Sequence, residues 1–284
     1  MNARRIAVVL LTASMLTPGQ VALHGRPEAA QADPGSALHE PLDRVLDTYV
    51  RDGLVYYRAL QIERPPLDRY VASLDVAPDA LAAWTVEAQL AFWLNAYDAL
   101  VLQTVIDHYP ISGAASEFPA NSVRQVPGAF GGRTHRVAGR EVTLDQIETE
   151  ILAGFEDPRV FLAIGRGAVG GGRLRSEAFS GARLEEQLAG AAAECVTRAE
   201  CVVIDQAAGV ITANPLFGWR EAAFVSAYAA APDDRFPGRS PIEIALVHLI
   251  LPHVYPGERE FVARNAFRFE YHAFDWSLND LTGR

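Results

Sequence analysis

One long apolar segment limits what this chain can fold into more than any other feature. Residues 87–109 read EAQLAFWLNAYDALVLQTVIDHY and contain neither glycine nor proline. When the segment is drawn as a helix, apolar side chains cover most of its circumference, and a helix of that kind is buried. The sequence therefore predicts a central helix on which the other elements pack.

Three polar residues interrupt this helix on one side. At 100° per residue, with Glu87 at 0°, Asp98 falls at about 20° and Asn95 at about 80°, so the three form one stripe. Two carboxylates and an amide could exchange protons or hold a cation or a polar ligand. Alternatively, Glu87 is favoured by the helix dipole in the first turn after an N-cap at Thr85, and Asn95 and Asp98 brace neighbouring loops.

Short helices and hairpins are predicted on the N-terminal side and directly after the central helix. Residues 41–60 read as an amphipathic helix followed by the extended stretch GLVYYRAL, and residues 67–83 read as a helix broken at Pro78. A hairpin is expected over residues 134–143. Thr143 and Gln146 then form a capping box that begins the next helix.

The second half of the chain continues this mixture of elements. The apolar run Val160–Ile164 is interpreted as a core strand, and the alternating pattern of residues 266–274 as a half-buried strand. A helix is expected from about residue 183 to 198, a hairpin over CVVIDQAAGVIT, a helix over residues 219–230, and a helix begun by Ser240. The sequence predicts an α+β fold: a mainly helical single domain, residues 41–284, around the buried central helix, with hairpins and a small antiparallel sheet.

The first 40 residues predict export. Arg4 and Arg5 precede an apolar run, residues 6–16, which is too short to span a membrane, and Ala30-Gln31-Ala32 fits a cleavage site. We interpret residues 1–32 as a signal peptide and residues 33–40 as a linker; the alternative is a retained membrane anchor. The mature protein is then expected to be periplasmic or secreted, without an integral membrane segment. The formal net charge of the full chain, -10, argues against nonspecific binding to nucleic acid or to anionic membranes.

The chain contains two cysteines, Cys195 and Cys201. In an oxidising compartment they could form a disulfide across the five residues between them. Two buried thiols are the alternative, and neither cysteine has the surroundings of a nucleophile.

Several segments resemble a known family. AFWLNAYDALVLQTVIDHYP is similar to the AFWINAYNA signature of the family called domain of unknown function 547. The segments VPGAFGG, VAGREVTLDQIETEIL, DPRVFLAI and FDWSLND continue the resemblance in order, over roughly residues 45–279. The resemblance implies a fold rather than an activity.

This chain departs from the family where the family carries reactive side chains. Similar members have a pattern like DPRVHFALVCxSxxCPPL, in which the His falls on Phe161, the two Cys on Arg166 and Gly171, and the Pro pair on Gly172 and Arg173. A further family His falls on Thr149. Cysteine and histidine supply a thiolate with its base, or soft ligands for zinc. The resemblance therefore implies a degenerate site with no metal and no cofactor.

The polar residues that remain form the candidate cleft. Arg166 is hypothesised to pair with Glu87 or Asp98, or to bind a ligand carboxylate or phosphate, and the alternative is a solvated loop charge. His135 and His272 are the two histidines that could act as general bases. Residues 165–170 formally fit GxGxxG, but no helix follows the third glycine, so nucleotide binding is not expected. The complete set of candidates is Glu87, Asn95, Tyr97, Asp98, Glu148, Arg166, His135 and His272.

Two hypotheses about function follow. The first is an exported, non-catalytic protein that binds a peptide, glycan or protein ligand in a polar cleft beside the central helix. The second is a hydrolase or transferase in which Glu87, Asp98 or a histidine replaces the missing Cys-His pair.

Overall fold

The central helix is confirmed. The computed structural model describes residues 35–231 and 233–283, so the predicted signal peptide lies outside the described residues. Helix α5, Val86–His108, begins at the N-cap Thr85, whose hydroxyl accepts a hydrogen bond from the Ala88 N–H. Every residue from 90 to 102 is buried, as expected for a helix that is apolar nearly all round.

Before α5 the chain forms α1 (Ser36–Tyr49), β1 (Val50–Arg51), β2 (Leu54–Val55), α2 (Tyr57–Ile62), α3 (Pro65–Ala72) and α4 (Pro78–Ala82). Helix α1 begins at Ser36, five residues before the start predicted at Pro41, and so includes residues 36–40 of the predicted linker. Pro41 lies near the start of α1, where its missing N–H removes one hydrogen bond. The stretch predicted as extended, GLVYYRAL, is a strand at Leu54–Val55 and a helix from Tyr57 onward.

The hairpin and the capped helix after α5 are confirmed. Strands β3 (His135–Val137) and β4 (Arg140–Val142) pair antiparallel. Thr143 and Gln146 exchange both bonds of a capping box at the start of α6 (Leu144–Gln146). The helix continues as a π-helical segment, Ile147–Leu152, which places Glu148 in the interior.

The core strand predicted at Val160–Ile164 is wrong, because Val160–Ala163 is a single helical turn, α7. The side chain of Asp157 accepts a hydrogen bond from the Arg159 N–H at the start of this turn. A short run of consecutive apolar residues is buried equally well in a helix or a strand, so periodicity cannot distinguish them.

After α7 the chain forms α8 (Leu184–Thr197), β5 (Val202–Asp205), β6 (Val210–Ala213), α9 (Leu216–Trp219), α10 (Glu221–Tyr228), α11 (Pro241–Ile250), α12 (Pro256–Ala263) and β7 (Arg268–Tyr271). Strands β5 and β6 pair antiparallel as the predicted hairpin, and β7 pairs parallel to β6. The long connection through α9–α12 allows this parallel pairing. The mainly helical α+β fold is thus confirmed, with antiparallel hairpins and one parallel strand.

Two further features hold the C-terminal part together. Cys195 at the end of α8 and Cys201 before β5 form a disulfide. The terminal segment, residues 274–280, runs along the glycine-rich loop, residues 165–173. The N–H groups of Val169 and Gly170 in this loop donate to the carbonyls of Ser277 and Asp275. In the part of the chain that the structure describes, no helix is long and apolar enough to cross a membrane.

Candidate functional site

The candidate site is built around the carboxylate of Glu148. Arg166 binds it with two nitrogens, Nη2 at 2.6 Å from Oε1 and Nε at 3.2 Å from Oε2. Arg220 donates from Nη2 to Oε1 at 2.7 Å, and the Tyr97 hydroxyl donates to Oε2 at 3.0 Å. Each carboxylate oxygen therefore accepts two hydrogen bonds, which leaves the group well satisfied in the interior.

The two guanidinium groups fix the charge of Glu148. Burial alone would raise the pKa of Glu148, but the charge of Arg166 and the hydrogen bonds from Arg166 and Arg220 lower it to about 2. Glu148 is therefore ionised at neutral pH. The third guanidinium nitrogen of Arg166, Nη1, donates a hydrogen bond of 3.2 Å to the Phe161 carbonyl.

Asp98 lies beside this network and behaves differently. One of its carboxylate oxygens accepts a hydrogen bond of 2.9 Å from the Gly165 N–H, at the start of the glycine-rich loop. Burial raises the pKa of Asp98 to about 8, although the Gly165 hydrogen bond and the charge of Arg166 oppose that shift. Asp98 is consequently mostly protonated at neutral pH. We refer to Tyr97, Asp98, Glu148, Arg166 and Arg220 together as the polar centre.

The ion pair predicted for Arg166 with Glu87 or Asp98 is instead made with Glu148. The alternative of a solvated loop charge is also wrong, because the Arg166 side chain is only 3% exposed. Glu87 shares an angle with Asp98 on the helix, but it lies about three turns away and is exposed in the first turn of α5. The helical angle predicted that Glu87 and Asp98 lie in one site, but Asp98 is buried and Glu87 is on the surface.

Asn95 lies on α5 near Asp98 but contacts a different segment. Its amide nitrogen donates to the Phe179 carbonyl, and its amide oxygen accepts from the Phe179 N–H, both at 2.8 Å. This reciprocal pair holds the segment before α8 against the central helix.

The two candidate histidines lie on other elements. His135 is on β3, and its burial together with the charge of Arg133 lowers its pKa to about 4, so it is neutral at pH 7. His272 follows β7, and its Nδ1 lies 2.8 Å from the Ala273 carbonyl. Among the described residues, neither histidine forms a hydrogen bond or an ion pair with the polar centre.

Three of the positions at which the resemblance implies Cys or His, namely Phe161, Arg166 and Gly171, are neighbours in space. Arg166 contacts the Phe161 carbonyl, and a Cβ built at Gly171 would lie 3.4 Å from the Cβ of Arg166. Thr149 is exposed, and its hydroxyl donates to the Asp145 carbonyl. Arg166 is therefore at one of the two neighbouring positions where the resemblance implies a thiol.

Other groups in this region were not predicted from the sequence. Arg220 reaches the polar centre from the turn between α9 and α10, and no motif marks it. Its neighbour Trp219 is 50% exposed and lies against Phe274 and Trp276 of the terminal segment. The segment NPLFGWRE, in which Trp219 precedes Arg220, could have indicated a functional surface from sequence, because tryptophan and arginine are enriched in binding surfaces.

Two surface cavities lie away from the polar centre. One of about 530 Å³ lies among Pro41, Tyr49 and Tyr70, and another of about 440 Å³ lies among Asp43, Arg173 and Glu177. None of the candidate cleft residues lines either cavity. Among the residues that the structure describes, no group of three or more His, Cys, Asp or Glu could hold a metal ion.

Comparison with known proteins identifies one region of the chain. Residues 81–196 match the model of a family described as a protein of unknown function, DUF547. This match includes α5, Glu148 and Arg166. No curated protein and no solved structure matches the chain.

Proposed function

We propose that this protein, whose residues 81–196 match the DUF547 family model, is an exported, non-catalytic protein that binds a ligand on the surface beside the polar centre. One observation carries the proposal. Arg166 stands where the resemblance implies a thiol, and its guanidinium is bound by both carboxylate oxygens of Glu148.

This arrangement leaves the polar centre with little capacity for catalysis. A guanidinium is charged at any physiological pH and cannot act as a nucleophile or a proton donor. An effective general base has a pKa near the working pH, whereas the pKa of Glu148 is about 2. The hydrogen bonds to Glu148 stabilise an interior ion pair and provide no reactive group.

Asp98 supports a second candidate function. Burial raises the pKa of its carboxyl group to about 8, which suits a general acid in a hydrolase or transferase. However, Asp98 is 3% exposed and lines neither of the two surface cavities described above, so a substrate would need an opening beside Gly165. The binding function therefore ranks first.

The proposal of export rests on the predicted signal peptide and is supported by the disulfide between Cys195 and Cys201. Disulfides persist in the periplasm and outside the cell and are rare in the cytosol. We expect the mature N-terminus to begin after residue 32. Fractionation of the native host, followed by mass spectrometry of the N-terminus, tests this; a full-length chain in the cytosol would contradict it.

A ligand screen tests the absence of catalysis. The mature protein is incubated with panels of peptides, glycans and esters, binding is detected by the rise in Tm, and each bound compound is recovered for mass spectrometry. We expect at least one compound that raises Tm and is recovered unchanged. A compound recovered cleaved by wild type and intact after incubation with Asp98→Asn would favour the hydrolase or transferase.

A further inference from the structure

Five aromatic rings cluster next to the polar centre; Trp219 is 50% exposed, Phe118, Phe274 and Trp276 are half-buried, and Phe130 is buried. Trp219 and Trp276 are nearly parallel, with 18° between their planes and 6.3 Å between their centroids. Phe274 contacts both, at 5.1 Å from Trp219 and 4.3 Å from Trp276. Phe118 and Phe130 meet the edge of Trp276. We call these five rings the aromatic surface.

This surface lies outside the loop that carries Arg166. A Cβ built at Gly170 would lie 2.8 Å from the Asp275 nitrogen and 3.2 Å from the Phe274 ring, so the loop and the terminal segment are in close contact. Trp219 is followed directly by Arg220, which binds Glu148. A ligand on the aromatic surface would therefore rest just outside the polar centre.

Arg124 adds a positive charge at the other side of the aromatic surface. Its guanidinium carbon lies 4.4 Å from the Trp276 centroid and 4.8 Å from that of Phe130. The side chain is exposed, and within the described part of the chain no carboxylate forms an ion pair with it. Arg166 and Arg220 of the polar centre share the carboxylate of Glu148, and the exposed residue Asp275 lies between Phe274 and Trp276 in the terminal segment. Arg124 is therefore the group that an anionic ligand would pair with, because an exposed guanidinium without a carboxylate partner is complementary to an anion.

The main chain of the terminal segment offers few groups to a ligand. The carbonyls of Asp275 and Ser277 accept bonds from the glycine-rich loop, and the Ser277 N–H donates to the Asp275 carboxylate. An extended peptide is recognised largely through main-chain donors and acceptors, so it fits this surface poorly. Recognition here depends on ring faces and a guanidinium.

From these observations we infer that the aromatic surface and Arg124 bind an acidic oligosaccharide. The faces of aromatic rings carry partial negative charge and attract the C–H groups on one side of a sugar ring. Arg124 matches the carboxylate of a uronic acid, with which a guanidinium forms two hydrogen bonds. The inference rests on the proposed binding function and names the ligand class.

The test uses pairs of probes that differ in charge alone. Tetragalacturonate and its methyl ester share one sugar chain, and tetramannuronate and its methyl ester provide a second pair. Binding to the full mature protein is measured by calorimetry and by tryptophan fluorescence. We expect at least one acid to bind at least about 10-fold more tightly than its ester, since a charge-assisted hydrogen bond contributes that much.

Single substitutions test whether the oligosaccharide binds at Arg124 and the aromatic surface. Arg124→Gln is expected to weaken binding of the acid at least about 10-fold and to leave the ester unchanged, while Trp219→Ala weakens both. Arg140→Gln is the matched control for the arginine, because Arg140 is also exposed and also lies over a tryptophan, Trp93, at 5.0 Å. Tyr56→Ala is the control for an exposed aromatic residue. Circular dichroism checks that each variant is folded. Trp219→Phe is a second, more conservative substitution at the position tested by Trp219→Ala.

Three results would overturn the inference: no binding of either acid at millimolar concentration, equal affinity for acid and ester, or equal effects of the test and control variants. Binding of peptides at the aromatic surface in place of these sugars would also overturn it and would leave the proposed binding function intact. Cleavage of a bound oligosaccharide would support the ligand class and contradict the absence of catalysis.

Discussion

At the scale of single residues, two buried carboxyl groups close together have opposite protonation states because their partners differ. Glu148 faces two guanidinium groups and stays ionised, whereas Asp98 faces one peptide N–H and is mostly protonated at neutral pH. Their pKa values, about 2 and about 8, follow from this difference.

Asp98→Asn tests the protonation state of Asp98. The folded pKa of about 8 lies above the ordinary value of 3.8, so the native state holds a proton that the unfolded chain loses. The free energy of unfolding contributed by this protonation is therefore fully present below the unfolded pKa of 3.8. It is lost as pH rises from there to the folded pKa of about 8. The amide cannot titrate and keeps an oxygen for the Gly165 N–H. We expect Asp98→Asn to gain stability relative to wild type between pH 5 and pH 8, measured by urea unfolding at each pH.

One outcome of the same experiment would contradict a protonated Asp98. If Asp98→Asn and wild type show parallel dependence of unfolding free energy on pH across that range, Asp98 is ionised in the native protein.

At the scale of elements, α5 is held to the segments around it by polar contacts in addition to apolar packing. Asn95 binds the main chain of Phe179, and Gln187 of α8 binds the Ser180 N–H and the Ala178 carbonyl. These amides together fix the segment between the glycine-rich loop and α8.

Asn95→Ala is expected to loosen that segment. It leaves the N–H and the carbonyl of Phe179 without their partners, and each stranded group costs about 1–3 kcal/mol. We expect a loss of at least about 2 kcal/mol in urea unfolding and faster hydrogen exchange at residues 178–180. The control is Gln206→Ala, an exposed amide in the turn after β5. Equal stability and exchange in the two variants would show that the Asn95 contact is not needed.

The disulfide joins α8 to the sheet and is expected to stabilise the fold. Closing so short a loop removes entropy from the unfolded chain and contributes about 2 kcal/mol. The double variant Cys195→Ser, Cys201→Ser should lose that amount in urea unfolding. Reductant should lower the stability of wild type alone; a wild type that does not respond would lack the disulfide in solution.

Sequence reasoning succeeded for elements whose causes are local. The all-round apolar pattern identified α5, and Thr143 with Gln146 identified the start of α6, because both signals lie within a few residues. The turn at Val160–Ala163 was misread as a strand because four apolar residues show no period. Whether this turn is a helix or a strand depends on contacts with parts of the chain that are distant in sequence.

At the scale of the whole molecule, the polar centre is assembled from parts of the chain that sequence reasoning could not join. Tyr97, Glu148, Arg166 and Arg220 come from four separate segments, and their pairing is decided by packing. The resemblance to the family marked Arg166 as a substituted position but did not identify its partner. The aromatic surface was missed for the same reason, since Arg124, Trp219 and Trp276 are distant in sequence.

The account as a whole treats the polar centre as an interior ion pair that supports the fold in place of a reactive site. Residues kept for catalysis or binding often reduce stability, whereas interior partners of charged groups are needed for it. The stability of a variant at Glu148 therefore distinguishes the two roles.

The most direct measurement is urea unfolding of Glu148→Gln beside wild type at pH 7, with Glu185→Gln as the control. Glu185 also pairs with an arginine, Arg159, but its side chain is 79% exposed. We predict that Glu148→Gln loses about 3–5 kcal/mol, because Arg166 remains buried without a countercharge, and that the control changes by less than about 1 kcal/mol. A Glu148→Gln variant as stable as wild type, or more stable, would contradict the structural role and favour an active site.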